Sequence, residues 1–174
     1  MARLPHPFEY SAAYIHQPLP HALFDRIPGS IEVSDRTLVR KTEFHVSLVH
    51  LEEMVPHVAA SKGVSNAEAQ ERILSLFAKF AEEYGLGFDS CIDDLRVAEK
   101  DERMSVLVRC TVSGLDGFFA TCREEFDIGI ATQPAHVTLY TLQPDRGIGI
   151  PDPHEMDALP RVEVPAVSEA LGLV

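Results

Sequence analysis

Two stretches of the chain carry one pattern: Phe44-His45-Val46-Ser47-Leu48 and Ala135-His136-Val137-Thr138-Leu139. Each reads apolar, His, apolar, hydroxyl, apolar. Side chains of a β-strand alternate between its two faces. His45 and Ser47 therefore point one way, with Val46 and Leu48 behind them. His136 and Thr138 do likewise, backed by Val137 and Leu139. Each strand presses Val and Leu into a core and presents an imidazole beside a hydroxyl. A single histidine beside a serine is an ordinary surface pair, but two copies far apart in the chain suggest a site built from two halves. Strict alternation also puts Tyr140 on the face of Thr138, where its ring can stack on a base or its hydroxyl can donate to a phosphate, with a partly buried structural tyrosine as the alternative. The same rule turns His50 away from His45 and leaves it outside the site.

Outward from these strands, residues 1–9 read as an extended arm because Pro5 and Pro7 oppose a helix. Residues 10–16 form a first strand, with Tyr10 and Tyr14 together on a core-packing face. A short helix over 21–27 closes at Pro28-Gly29, and a second strand covers 36–41. The motif strand over 43–50 follows. The clearest helix is 65–84, with Ser65 and Glu68 at capping-box spacing. Its face carries Ala69, Ile73, Leu76, Phe77, Phe80 and Tyr84 at helical spacing. Residues 94–99 and 103–112 predict a hairpin turning at Lys100-Asp101-Glu102. Ser113 and Asp116 cap a helix through Phe126, and the second motif strand covers 136–142. Residues 145–150 return as a partner strand, and the tail beyond is Pro-rich, with a short strand near 161–164. Strand, helix and His-hydroxyl strand thus occur twice, which suggests two pseudo-symmetric lobes offering one motif each to a shared groove.

The whole chain sets bounds on this picture. Its 174 residues suit one domain, or two lobes sharing a cleft. No apolar run approaches the ~20 residues needed to span a bilayer, and the N-terminus lacks the pattern of a signal peptide. A net charge of −12 opposes binding to long nucleic acid, which needs a basic patch. A small phosphorylated ligand needs only local donors and stays compatible. Arg36, Arg40 and Lys41 precede the first motif and read mainly as a solvated surface, the alternative being positive charge supplied near a phosphate. Cys91, Cys110 and Cys122 are odd in number and form no CxxC pair, which fits reduced, inert thiols in a cytoplasm. Seven of the histidines (His16, His21, His45, His50, His57, His136 and His154) show no HExxH or Cys/His ligand spacing, so neither metal nor cofactor is expected.

Histidine titrates near neutral pH, so one imidazole can be neutral while another is charged. The neutral ring takes a proton from water or a sugar hydroxyl, and the charged ring gives one to the departing oxygen. Adjacent hydroxyls can donate to the non-bridging oxygens of a phosphate. A cyclic phosphodiester suits this set, because attack and departure lie on opposite sides of phosphorus.

His45-Val46-Ser47-Leu48 and His136-Val137-Thr138-Leu139 resemble the paired His-x-Thr/Ser-x motifs of the two-histidine (2H) phosphoesterase superfamily. That group includes the RNA 2′,3′-cyclic phosphodiesterases, also called 2′-5′ RNA ligases. The resemblance implies an α+β bilobal fold over about residues 10–150, with two antiparallel sheets flanking a central cleft and helices outside. It implies metal-independent hydrolysis of a phosphodiester, with His45 and His136 as acid and base in unassigned order. Ser47 and Thr138 would be the phosphate ligands. Ser47 stands where Thr is commoner, and both residues present a hydroxyl. The Pro-rich tail over 151–174 has no place in the resemblance. The expected activity is that of a cytoplasmic phosphodiesterase acting on a small cyclic phosphodiester or an RNA end. The alternative is a non-catalytic nucleotide- or phosphate-binding module using the same cleft.

Overall fold

A computed structural model describes residues 3–144 and 147–173. Among these, eight strands and five α-helices form a mixed α/β fold. The strands are β1 (Glu9–Ser11), β2 (Tyr14–Pro18), β3 (Ser30–Val33), β4 (Arg36–Arg40), β5 (His45–His50), β6 (Gly87–Lys100), β7 (Arg103–Ser113) and β8 (His136–Thr141). The helices are α1 (Leu51–Lys62), α2 (Asn66–Tyr84), α3 (Leu115–Phe126), α4 (Pro153–Ala158) and α5 (Pro165–Leu171).

All strands join one antiparallel, hydrogen-bonded sheet in which β8 is the hub. One edge of β8 pairs with β7, which continues to β6. Its other edge is shared: β5 pairs near His136 and Val137, and β4 pairs at Tyr140 and Thr141. β5 leads out through β2 to β1, and β4 leads to β3. The two motif strands are thus neighbours, joined by the pairs Val46↔Val137 and Ser47↔His136.

Local chemistry accounts for most boundaries. Ser65 caps α2 by accepting from the Glu68 N–H at 3.2 Å, as its spacing predicts. Helix α3 departs from expectation, because its N-cap is Gly114 rather than Ser113. A side-chain Cβ at Gly114 would lie 2.5 Å from the Gly85 carbonyl oxygen, and φ is +81° there. Only glycine fits. Ser113 instead donates to the Asp89 carboxylate at 2.8 Å. Helix α1 follows β5 without a linker and has no counterpart in the sequence reading. Pro56 in its interior cannot donate to the Glu52 carbonyl. Burial of Leu51, Met54, Val55 and Val58 offsets that loss.

Two hairpins escaped the sequence because their turns lack glycine and asparagine. Ala12-Ala13 and Ser34-Asp35 all have positive φ, the geometry of two-residue type I′ turns. The expected strand over 10–16 is therefore two strands folded back on each other. Tyr10 opposes Ile15 and packs on the core, whereas Tyr14 opposes Ser11 on the other face. The expected helix over 21–27 is one 3₁₀ turn, His21–Leu23. Of the expected return strand over 145–150, residues 145 and 146 lie outside the described residues, and 147–150 has no strand structure.

Apolar side chains of α1, α2 and α3 meet one face of the sheet in the main core, where Phe77 packs edge-on against Phe8 and Phe118. The opposite face carries a small second core: Ala98 and Leu107 from the sheet, with Ile148, Ile150 and Met156 from the tail. Val106, Leu107 and Val108 alternate between the two cores, which fixes the faces. Hereafter the second is the tail face. No helix of the described residues is long and apolar enough to cross a membrane.

Candidate functional site

Directly opposed residues of an antiparallel pair share a face. Glu9 opposes His16, His16 opposes Ser47, Ser47 opposes His136, and His136 opposes Arg109. A polar row therefore crosses five strands on the tail face. His45 stands two residues before Ser47, and Thr138 two after His136, where it opposes Leu107. All four motif side chains lie on this face. The ring of His16 lies 4.7 Å from that of His45, centre to centre, and its Nε2 is 3.6 Å from a Glu9 carboxylate oxygen.

Tyr140 does not join them. Between Val106 and Leu107 the β7–β8 register slips, and Leu139 is the extra residue of a bulge. The slip reverses the alternation, so Tyr140 opposes Val106 and enters the main core. It is fully buried, its hydroxyl donates to the Pro28 carbonyl at 2.9 Å, and burial pushes its pKa up to about 12. Its role is to hold the loop before β3. Tyr140→Phe is expected to destabilise the fold by about 1 kcal/mol. It should leave any turnover at wild-type level; urea unfolding alongside an assay checks both.

A second bulge corrects the reading of His50. Ile15 opposes Val49 and His16 opposes Ser47, so Leu48 is the extra residue. His50 is thereby brought to the tail face, opposite Tyr14, with the two rings stacked at 4.2 Å. Gln133 clasps the His50 backbone: its Oε1 accepts from the N–H at 2.6 Å and its Nε2 donates to the carbonyl at 3.3 Å. The end of one motif strand is thus tied to the segment that enters the other.

The two motif histidines differ in setting. His136 is 1% exposed. Its Nδ1 lies 2.9 Å from the Pro134 carbonyl oxygen, which can only accept, so Nδ1 carries the proton. The lone pair of the neutral ring is then on Nε2, which is buried and meets no hydrogen-bond partner among the described residues. Burial lowers the His136 pKa, and the Pro134 bond only partly restores it. His45 is half-buried, and its pKa is pushed down to about 4, first by burial and then by His16, Lys41 and His136. Both rings are neutral at pH 7. Arg40 is engaged elsewhere, donating to the carbonyls of Phe24, Asp25 and Ile27.

A pocket of about 350 Å³ opens beside His45, with His16, His21, Glu9, Glu43 and Phe44 in its wall. Ser47, His136 and Thr138 do not line it. Over Thr138 runs the strap Gly147-Ile148-Gly149-Ile150. Gly147 approaches Thr138 so that a Cβ would lie 3.6 Å from its Oγ1, and a Cβ at Gly149 would collide with the Tyr14 hydroxyl. Both isoleucines turn into the second core. The tail beyond is held by charge. Arg96 donates to the Asp157 and Leu159 carbonyls at 3.0 and 2.8 Å, and Arg109 pairs with Asp157 at 2.7 Å. Buried Asp94 contacts Arg96, Arg109 and Arg161 at 2.5, 3.3 and 3.2 Å.

His16, Tyr14, Arg109 and the strap were missed by the sequence reading. The period-2 run Tyr14-Ile15-His16 held a signal for the first two, but their neighbours come from distant strands. Among the described residues no group of three or more His, Cys, Asp or Glu is arranged to hold a metal ion. No protein-family model matches the chain, and no curated protein matches it.

Proposed function

We propose that this protein is a metal-independent phosphodiesterase of the two-histidine type, acting in the cytoplasm on a small cyclic phosphodiester or a terminal 2′,3′-cyclic phosphate. The observation that carries the reading is the shared face of His45, Ser47, His136 and Thr138, with Ser47 directly opposite His136. In this reading the sheet divides functionally into two lobes at the short β5–β8 seam, one motif strand to each. His136 Nε2, with a free lone pair, takes the proton of the attacking water as its oxygen bonds to phosphorus. The bond from phosphorus to the departing sugar oxygen breaks, and His45 gives that oxygen a proton. The anionic substrate itself raises the pKa of His45 toward neutrality, since an opposite charge favours the protonated ring. Ser47 and Thr138 donate to the non-bridging oxygens. The strap over Thr138 must move aside for the substrate. The excess of acidic residues, 27 against 15 basic, favours a small ligand over long RNA.

The depth of His136 favours a second reading, a non-catalytic nucleotide- or phosphate-binding module. One experiment separates the two. The full chain is incubated with 2′,3′-cyclic nucleotides and a chelator, and the phosphomonoester product is followed. Turnover that survives the chelator is the expected result. Saturable binding without product supports the module, and neither binding nor turnover overturns both.

A further inference from the structure

Cys91 on β6 and Cys110 on β7 are directly opposed residues of the antiparallel hairpin. Their Sγ atoms are 3.9 Å apart, and the Cys110 thiol donates to Cys91. We propose that Cys91 and Cys110 form a redox-active dithiol that closes reversibly to an intramolecular disulfide on exposure to a hydroperoxide.

Geometry carries this. Opposed residues of an antiparallel pair have Cα atoms roughly 4.5–5.5 Å apart, inside the roughly 4.4–6.8 Å that a disulfide spans. The register breaks on both sides of the pair, between Phe88 and Ser90 and again between Cys91 and Leu95. Such bulges free the strand to twist locally, so the sulfurs can close their remaining separation without breaking a regular ladder. Both thiols are half-buried, whereas Cys122 is wholly enclosed on α3. The hydrogen bond from Cys110 lowers the pKa of Cys91, and that bond together with burial raises the pKa of Cys110. Cys91 is therefore the attacking thiol and Cys110 the resolving one.

The chemistry balances. The Cys91 thiolate attacks the peroxide, an S–O bond forms, the O–O bond breaks, and the departing oxygen leaves as water after taking a proton. The Cys110 sulfur then attacks the sulfenic acid, the S–S bond forms, the S–O bond breaks, and a second water leaves with the Cys110 proton. Two thiols and one hydrogen peroxide yield one disulfide and two waters, the thiols losing two electrons. A dithiol reductant reverses it. The pair packs against the main core, on the face of the sheet opposite the polar row, and the Cys110 N–H donates to the Ala135 carbonyl at 3.0 Å. It does not depend on the phosphodiesterase reading.

The native full-length chain is treated with hydrogen peroxide, alkylated under denaturing conditions and digested without reduction. The expected product is a linked Cys91–Cys110 peptide, two hydrogens lighter than its parts, lost on dithiothreitol treatment, with Cys122 fully alkylated. Cys110→Ser should trap Cys91 as a sulfenic acid that reacts with dimedone. Native protein in which Cys91 and Cys110 remain alkylatable under peroxide, or which links only between chains, overturns the proposal. So does linkage to Cys122 at comparable yield. The wild-type map decides the matter even if the serine variant fails to fold.

Discussion

His136→Asn is expected to lower turnover of a 2′,3′-cyclic nucleotide by about 10²–10⁴-fold, the range for losing one member of an acid–base pair. Asparagine is chosen because its amide can still donate to the Pro134 carbonyl, as Nδ1 does at 2.9 Å. The hydrogen bond that holds the ring is imitated, while the Nε2 lone pair is lost. A circular dichroism spectrum and an unfolding midpoint near wild type would show that the loss is chemical. His45→Ala should give a loss of similar size through the acid step. Turnover within a few-fold of wild type in either variant would end the two-histidine assignment. The pH profile provides an independent readout. Both rings have pKa values below the ordinary 6.5, His45 near 4. Since kcat/KM reports the free enzyme, and the acid must carry its proton, kcat/KM should fall about tenfold per pH unit above neutrality. A profile rising through pH 7–8 would contradict the assignment.

Asp94→Ala is expected to destabilise the fold by about 3–5 kcal/mol, the range for breaking a buried ion pair from one side. Asp94 is 5% exposed and Arg96 is 7% exposed, so alanine leaves a buried guanidinium without its carboxylate. Arg109 keeps Asp157, but the cluster that pins the tail loses its centre. Arg161→Ala is the contrast. Arg161 is largely exposed, and its pairing is worth no more than about 1 kcal/mol. Urea unfolding of the two variants should separate them clearly; an Asp94→Ala loss below 1 kcal/mol would refute this account. Acid adds a second signature. Burial pushes the Asp94 pKa up, but the Arg96 hydrogen bond and three guanidiniums outweigh it and hold the group below its ordinary 3.8. A depressed carboxyl pKa gives stability that is full above the unfolded value and lost as pH falls through the folded one. His45 acts earlier. Half-buried and neutral, it resists protonation, so its contribution is full above 6.5 and is lost as pH falls from there through about 4. Wild type should therefore weaken in two stages, with Asp94→Ala flattening the lower and His45→Ala reducing the upper, to which His136 and His50 also contribute because burial lowers their pKa values.

Local rules carried the sequence reading furthest. Ser65 with Glu68 set the start of α2, and the apolar stripe from Ala69 to Phe80 set its buried face. Alternation placed His45 with Ser47 and His136 with Thr138, because each pair lies within a regular stretch of strand. Alternation failed for His50 and Tyr140, because one inserted residue reverses every later side chain. Nothing in Leu48 or Leu139 announces a bulge; the slip is set by the partner strand.

What the sequence determined by itself was the set of short-range preferences: a capped amphipathic helix, strands with a polar and an apolar side, and two copies of one His-hydroxyl pattern. What only the tertiary structure decided was company and exposure. It set His16 beside His45, opposed Cys91 to Cys110, laid the Gly-Ile-Gly-Ile strap over Thr138, and buried the free nitrogen of His136. Those outcomes depend on contacts between residues remote in the chain. Their energies come from register and enclosure, which no window of neighbouring residues contains.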